Sequence, residues 1–379
     1  MIKGKNMNKI DYSNSITNLS NSILKHFGVK PFHKTIPEID KKLDGKKKVI
    51  VFLFDAMGKS VLEKHLDEYS FFRTHIIKNI TSTIPPTTVA STTSFLSGKF
   101  PIETGWLGWT LYFNEIDKNV NVFPNVDDDT GELIMGEHMM NKTCPYKNIA
   151  ALINEKNNKE IAHLIYGYPV DKNNKKVRRL KGFIKHAYKI ANKNDESFTY
   201  AYWVNPDGLM HGRGVNDKKV HKNILKIQKY IQRYSLKNKD VATLVIADHG
   251  MIDVNFLDMY EHPDLVNTLK RNTSIEKRTM NFFIKDGQQD EFKKLFNKYY
   301  GQYYTLLSKE KVLKENLFGE GLPHKKSLEF IGDFIGLANS DISLQMKKQK
   351  DEKHPFVFKA HHAGNTLDEM LISVIGINL

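Results

Sequence analysis

Six consecutive apolar residues, Val49-Ile50-Val51-Phe52-Leu53-Phe54, run directly into an aspartate, Asp55. A strand with one wet face alternates apolar and polar side chains, whereas an unbroken run of this kind has both faces buried, as in a parallel sheet covered by helices. Two further segments behave the same way: Phe198-Thr199-Tyr200-Ala201-Tyr202-Trp203-Val204 and residues 242–247. Helical stretches separate them. Residues 15–27 place Ile16, Leu19, Ile23 and Leu24 on one face, with Gly28 as the stop, and 59–68, 88–98 and 217–233 also read as helices. The second strand-like segment ends at Pro85-Pro86, where proline forbids further ladder bonding, and a helix starts near Thr88. The predicted class is α/β, a doubly wound, mostly parallel sheet flanked by helices.

The stretch 110–194 is poorer in buried-strand runs and richer in Asp, Asn and Lys, so it reads as an inserted cap. The expected organisation is an N-terminal helical segment (1–45), a core from 46–109 and 195–379, and the cap between the two core pieces. Within the second piece, 282–284 is expected as a strand, 291–299 as a helix and 334–337 as a last core segment. A chain of 379 residues can bury a core of that size. Met1 to Lys9 carry charge without a following apolar core, and no run of eighteen apolar residues occurs, so neither a secretory signal nor a membrane span is expected. A single cysteine, Cys144, forms no internal disulfide and fits a reducing cytoplasm, the expected location. The net charge of +14 suits an anionic partner. Its densest stretch, 172–189, lacks the glycine-aromatic pattern of an RNA-binding sheet and reads as a solvated helical face, with nucleic acid still open. The oligomeric state has no signature in the sequence.

Chemistry-bearing residues cluster where these strands end. Asp55, Asp207 with His211, Asp248-His249, Thr88 and His362 supply three carboxylates, three imidazoles and a hydroxyl. In an open parallel sheet the carboxyl ends of strands share one edge, so residues distant in sequence converge there. Buried carboxylates on one edge repel one another unless cations neutralise them. Two divalent metal ions answer that problem, and mixed Asp oxygen and His nitrogen without thiolate suits zinc, or manganese, better than calcium. Two such ions bind the attacking and leaving oxygens of an in-line displacement, and a metal makes a threonine hydroxyl a competent nucleophile.

These residues resemble the alkaline phosphatase superfamily, within it the nucleotide pyrophosphatase/phosphodiesterase-like branch. Asp55-Ala56-Met57-Gly58 is similar to that family's first metal-ligand segment. Pro86-Thr87-Thr88-Val89-Ala90-Ser91, ending at Ser97-Gly98, is similar to the nucleophile segment, and the interval back from Gly98 selects Thr88 over Thr87. Asp207 with His211, Asp248-His249-Gly250-Met251, and His362-Ala363-Gly364 before Thr366-Leu367-Asp368-Glu369-Met370 resemble the remaining ligand motifs. The resemblance implies an alkaline phosphatase-like fold, with Asp207, His211 and His362 on one ion and Asp55, Asp248 and His249 on the other. Thr88 would touch the second ion and serve as nucleophile. His361 is passed over because the spacing to Glu369-Met370 favours its neighbour.

The implied activity is cleavage of a phosphodiester or pyrophosphate in a nucleotide-like substrate through a phospho-threonine intermediate. Phosphomonoesterase, phosphomutase and phosphonate hydrolase are the alternatives within the superfamily, and an inactive nucleotide- or polyanion-binding protein is the alternative outside catalysis. Sulfatase chemistry is disfavoured, because the Cys/Ser-x-Pro-x-Arg motif is absent around Thr88. Where diesterase relatives commonly place an asparagine three residues after the nucleophile, this chain has Ser91, a shorter donor to a phosphate oxygen. Trp106 and Trp109, with Tyr112 and Phe113, are candidates for stacking a base or lining an apolar leaving-group pocket.

Overall fold

The computed structural model describes residues 7, 8, 11–346 and 358–379. Met1 to Lys9, read above as lacking an apolar core, lie outside the described residues except for Met7 and Asn8. A six-stranded sheet runs in the order Ile76–Thr81, Leu371–Ile377, Val241–Ile246, Lys48–Phe54, Ser197–Trp203, Ala162–Tyr166. Lys48–Phe54 sits in its interior, parallel to both neighbours, and Ala162–Tyr166 is parallel to Ser197–Trp203. Leu371–Ile377 runs antiparallel to the strands on either side of it. The central mostly parallel sheet agrees with the expected class.

Helices cover both faces, as the unbroken apolar runs require. Val51 is in register with Tyr200, so these two side chains share one face and Phe52 points to the other. On the first face Phe95, from helix Thr88–Ser97, stacks on Tyr200 with centroids 5.3 Å apart, and Phe27, just past helix Ile16–His26, meets Phe198 at 5.8 Å. On the second, Phe183 and Tyr188 of helix Leu180–Ala191 meet Phe52 at 6.2 and 5.6 Å. Ile16, Leu19, Ile23 and Leu24 are fully buried, each contributing about 1.5–3 kcal/mol of transfer free energy.

A second sheet of seven strands joins two distant chain segments in the order Tyr304–Ser308, Phe334–Ala338, Thr279–Phe282, Ser274–Ile275, Thr110–Phe113, Lys118–Asn121, Val126–Asp127. Its pairings are antiparallel. Within 110–194 the first strands enter the second sheet, whereas Ala162–Tyr166 joins the first sheet and Leu180–Ala191 packs on it. Ala162–Tyr166 escaped notice because an edge strand is only half buried, and His163 interrupts the apolar run. Phe334–Ala338 lies in the second sheet, and the last core strand is Leu371–Ile377. Among the described residues no helix is long and apolar enough to cross a membrane.

Candidate active site

The three neighbouring parallel strands Ser197–Trp203, Lys48–Phe54 and Val241–Ile246 end along one edge, and each leads into one of the aspartates. Backbone bonds lock the loops together. Asp55 N donates to Trp203 O (3.0 Å), Asp207 N to Asp55 O (3.1 Å), and Ala56 N to Asp248 Oδ1 (3.0 Å). The glycines of two motifs are there for space. A Cβ on Gly58 would stand 2.6 Å from Gly250 Cα, and one on Gly250 would stand 1.9 Å from Asp368 O, so these loops meet at backbone contact.

Thr88 opens helix Thr88–Ser97, and its Oγ1 lies 3.4 Å from both carboxylate oxygens of Asp55 and 3.2 Å from His249 Nε2. The Tyr202 hydroxyl donates to Asp55 Oδ2. Asp207 and His211, one helical turn apart in Asp207–Arg213, approach to 3.3 Å, and His362 Nε2 stands 3.8 Å from the same Asp207 oxygen. Each imidazole is aimed by its other nitrogen: Nδ1 of His211, His249 and His362 bonds the carbonyls of Ala360 (2.8 Å), Gly250 (2.9 Å) and Pro86 (3.2 Å). A donated Nδ1–H leaves Nε2 with its lone pair facing the site, the arrangement that metal-ligating histidines adopt.

Electrostatics mark the same place. Burial, then the neighbouring Asp248 and Asp207 charges, push Asp55 well above the carboxylate range, and burial also raises Asp248. Burial opposes ionisation of Asp207, but the adjacent His211 holds it below the usual value. His362 is driven well below the ordinary imidazole range by burial and by His249, whose ring stacks on it at 3.9 Å. Asp248 Oδ2 and Asp207 Oδ1 are buried without a hydrogen bond. Orphaned carboxylate oxygens beside imidazole nitrogens are a donor set that fits a divalent cation. The donors form two candidate metal-binding groups, Asp55 with Asp248 and His249, and Asp207 with His249 and His362, each with its atoms within 4.8 Å of one another. His249 is common to both. His211, assigned to the second group by resemblance, stands next to it through Asp207.

A cavity of about 430 Å³ opens beside Thr88, Asp207, His211 and His362, and the second sheet forms its far wall. Of the three substrate candidates only Trp109 lines it. Ser91 is buried away from it, its hydroxyl bonded to Ser82 Oγ (2.7 Å) and Thr83 Oγ1 (2.8 Å). Trp106 is buried too, with its indole N–H on Cys144 O (3.0 Å). The wall carries three charged residues that no motif marked, Asp128, Glu276 and Lys277. Glu276 Oε1 accepts from Thr87 Oγ1 (2.7 Å) and Trp109 N (2.9 Å), and burial pushes its carboxyl up to about 7. Lys277 Nζ lies 4.8 Å from the Phe358 ring and 5.4 Å from Phe256.

A model of the type I phosphodiesterase / nucleotide pyrophosphatase family matches residues 49–363. The chain belongs to that family. No curated protein sequence matches it. Among solved structures it is similar to murine ectonucleotide pyrophosphatase/phosphodiesterase 5, an inactive variant in complex with AMP, at 14% identity over 86% of this chain and 87% of that one, with a TM-score of 0.60. The human protein of the same name aligns at 15% identity over 87% of each chain (TM-score 0.63). Phosphonoacetate hydrolase from Sinorhizobium meliloti aligns at 13% identity over 87% and 90% (TM-score 0.67). Likeness at these identities establishes the fold; the family match establishes a phosphoric ester hydrolase of the nucleotide pyrophosphatase/phosphodiesterase type, in the alkaline phosphatase superfamily and in a metal-dependent family.

In this phosphodiesterase-family chain the His362 loop is secured from behind by a fully buried ion pair, Arg278–Glu369 (2.7 Å). Arg278 comes from the segment entering strand Thr279–Phe282 and also donates to the carbonyls of Ile342 (2.8 Å) and Ser340 (2.6 Å). Glu369 accepts from Gly364 N (2.7 Å) and Thr366 Oγ1 (2.6 Å). The pair thus couples the second sheet to the loop that carries His362. The sequence motif around Glu369 was visible, but its partner Arg278 was not.

Proposed function

We propose that the chain hydrolyses a phosphodiester or pyrophosphate bond of a nucleotide-like substrate through a phospho-threonine intermediate, with two divalent ions. The observation that carries this reading is the convergence of both donor groups around the Thr88 hydroxyl, which borders one cavity together with Asp207, His211 and His362. Asp55, Asp248 and His249 would hold one ion, and Asp207, His211 and His362 the other; the nitrogen and oxygen donor set suits zinc, then manganese. Bound there, the ions supply Lewis-acid stabilisation of the phosphoryl group and of the attacking and leaving oxygens.

Thr88 Oγ forms the new bond to phosphorus as the bond to the leaving alcohol or phosphate breaks, and the Thr88 proton has the Asp55 carboxylate as its neighbouring acceptor. Water then cleaves the threonine ester and regenerates the hydroxyl. The first N–H groups of helix Thr88–Ser97 favour the negative phosphoryl oxygens. Trp109 at the cavity wall suits a base.

The test is direct. Thr88→Ala should lose kcat by several orders of magnitude while keeping its fold and metal content, and Thr88→Ser should keep part of the activity. Full activity in the alanine variant would reject the nucleophile. A screen of nitrophenyl monoester, nucleotide diester, dinucleotide pyrophosphate and phosphonate substrates decides among the superfamily alternatives, and activity on none of them would favour a binding protein.

A further inference from the structure

Glu276 is an unexpected occupant of an anion-binding cavity, and its placement is built by several independent features. The residue before it, Ile275, has φ +71°, a left-handed conformation that a β-branched side chain rarely adopts. Strain of that kind persists only where surrounding structure enforces it. Here Ile275 pairs with Thr110 on one side and Met280 on the other, and Gly108 packs so closely that a Cβ there would stand 2.8 Å from Ile275 O. The turn delivers Glu276 to the cavity wall on the side of the nucleophile. Thr87, the neighbour of Thr88, spends its hydroxyl on Glu276 Oε1 instead of capping its own helix, and Trp109 N donates to the same oxygen. Both bonds converge on Oε1, and Oε2 is the oxygen left for a bound molecule or a proton.

Glu276 shares the cavity with Thr88, His211 and His362, so the charge on this carboxyl acts on the reacting centre. Ser91, the hydroxyl at the position where diesterase relatives commonly have an asparagine donor, is turned away and consumed by Ser82 and Thr83. Lys277, the cation on the same wall, is directed towards Phe256 and Phe358. On the Thr87 side, the charge beside Thr88 is thus that of the Glu276 carboxylate, while Lys277 is directed to the aromatic rings.

We propose that Glu276 is a specificity-determining residue that biases the site towards the monoanionic phosphoryl group of a diester or pyrophosphate linkage and against the dianionic group of a monoester. A carboxylate beside the nucleophile repels the extra charge of the dianion, while a protonated Oε2 donates to a non-bridging oxygen of the monoanion. The inference rests on the phosphoester reading above.

The test compares kcat/KM for thymidine 5′-(p-nitrophenyl phosphate), a diester, with that for p-nitrophenyl phosphate, a monoester, on the metal-loaded full chain. Glu276→Gln keeps an oxygen for Thr87 and Trp109 and removes the charge. It should lower the diester-to-monoester ratio by at least about tenfold, chiefly through a lower KM for the monoester. Glu276→Ala should lower the ratio as well, with an added loss on the diester from the released Thr87 and Trp109 contacts. A ratio unchanged in both variants, or a parallel loss on both substrates, would overturn the proposal and leave Glu276 a structural residue. If the unmutated chain cleaves neither substrate, the phosphoester reading falls and this one with it. If it cleaves them and the ratio does not move, only the role of Glu276 falls.

Discussion

Replacing Arg278 with methionine isolates the coupling between the second sheet and the His362 loop. The guanidinium and the Glu369 carboxylate are both fully buried, and Arg278 also satisfies the carbonyls of Ile342 and Ser340. Methionine fills much of the volume but strands the carboxylate, whose remaining donors are Gly364 N, Thr366 N and Thr366 Oγ1. Breaking one side of a buried pair costs about 3–5 kcal/mol. With about 2.1 cal/mol/K of unfolding entropy per residue, a chain of 379 residues has about 0.8 kcal/mol/K in all, so the melting temperature should fall by about 4–6 °C. Circular dichroism at fixed metal concentration reads this directly. Because Glu369 holds Gly364, two residues beyond His362, metal affinity should weaken in the same variant, measured by competition with a chelating dye. The double variant Arg278→Met/Glu369→Gln, which removes the stranded charge but keeps an acceptor for Gly364, should regain part of the loss. A single variant melting within 1 °C of the parent would refute the reasoning, and a double variant no more stable than the single one would show that the stranded charge is not the cause.

Metal analysis of the purified chain should find two transition-metal ions, with activity lost on chelation and restored by zinc or manganese; one ion in an active sample would sink the dinuclear reading. Glu276 also makes a pH signature. Its folded carboxyl titrates at about 7 against an ordinary 4.5, so the folded chain binds that proton more tightly. The resulting stability is complete below about 4.5 and is lost as pH rises through about 7. Glu276→Gln should therefore gain stability over the parent between pH 4.5 and pH 8, by no more than about 3 kcal/mol, in urea titrations; a pH-independent difference would contradict the placement. Trp109→Ala should shrink the nucleotide-diester preference with little loss of stability, whereas Trp106→Ala should cost about 3–5 kcal/mol in unfolding free energy, since Trp106 packs in the core and Trp109 faces the cavity.

Local sequence determined the strands, their aspartates and the donor motifs, because each is a short-range pattern. An apolar run buried on both faces needs helices on both sides, and Val49 to Phe54 could not be satisfied otherwise. The i, i+4 spacing of Asp207 and His211 places both on one helix face, and the glycines after Asp248-His249 and Asp55-Ala56-Met57 mark loops that meet at backbone contact. Thr88 was legible as the residue that opens its helix, and the structure puts its hydroxyl among the donors.

Only the tertiary structure decided the rest of the site. Glu276 and Lys277 lie nearly two hundred residues from Thr88, in a turn whose short strand and positive φ have no pattern of their own. Their meeting with Thr87 and Trp109 depends on pairing between Ser274–Ile275 and Thr110–Phe113 across nearly half of the chain. The division of 110–194 between two sheets was hidden for the same reason: strand partners are chosen by which edges remain to be paired, a property of the folded whole. Ser91 and Trp106 stood at the right distance along the chain, but side-chain direction is settled by the packing around them, and it turned both inward to Ser82, Thr83 and Cys144. Residue types and their spacing thus specify which chemistry is available, whereas the shape and charge of the cavity in which it acts are set by contacts that no single segment contains.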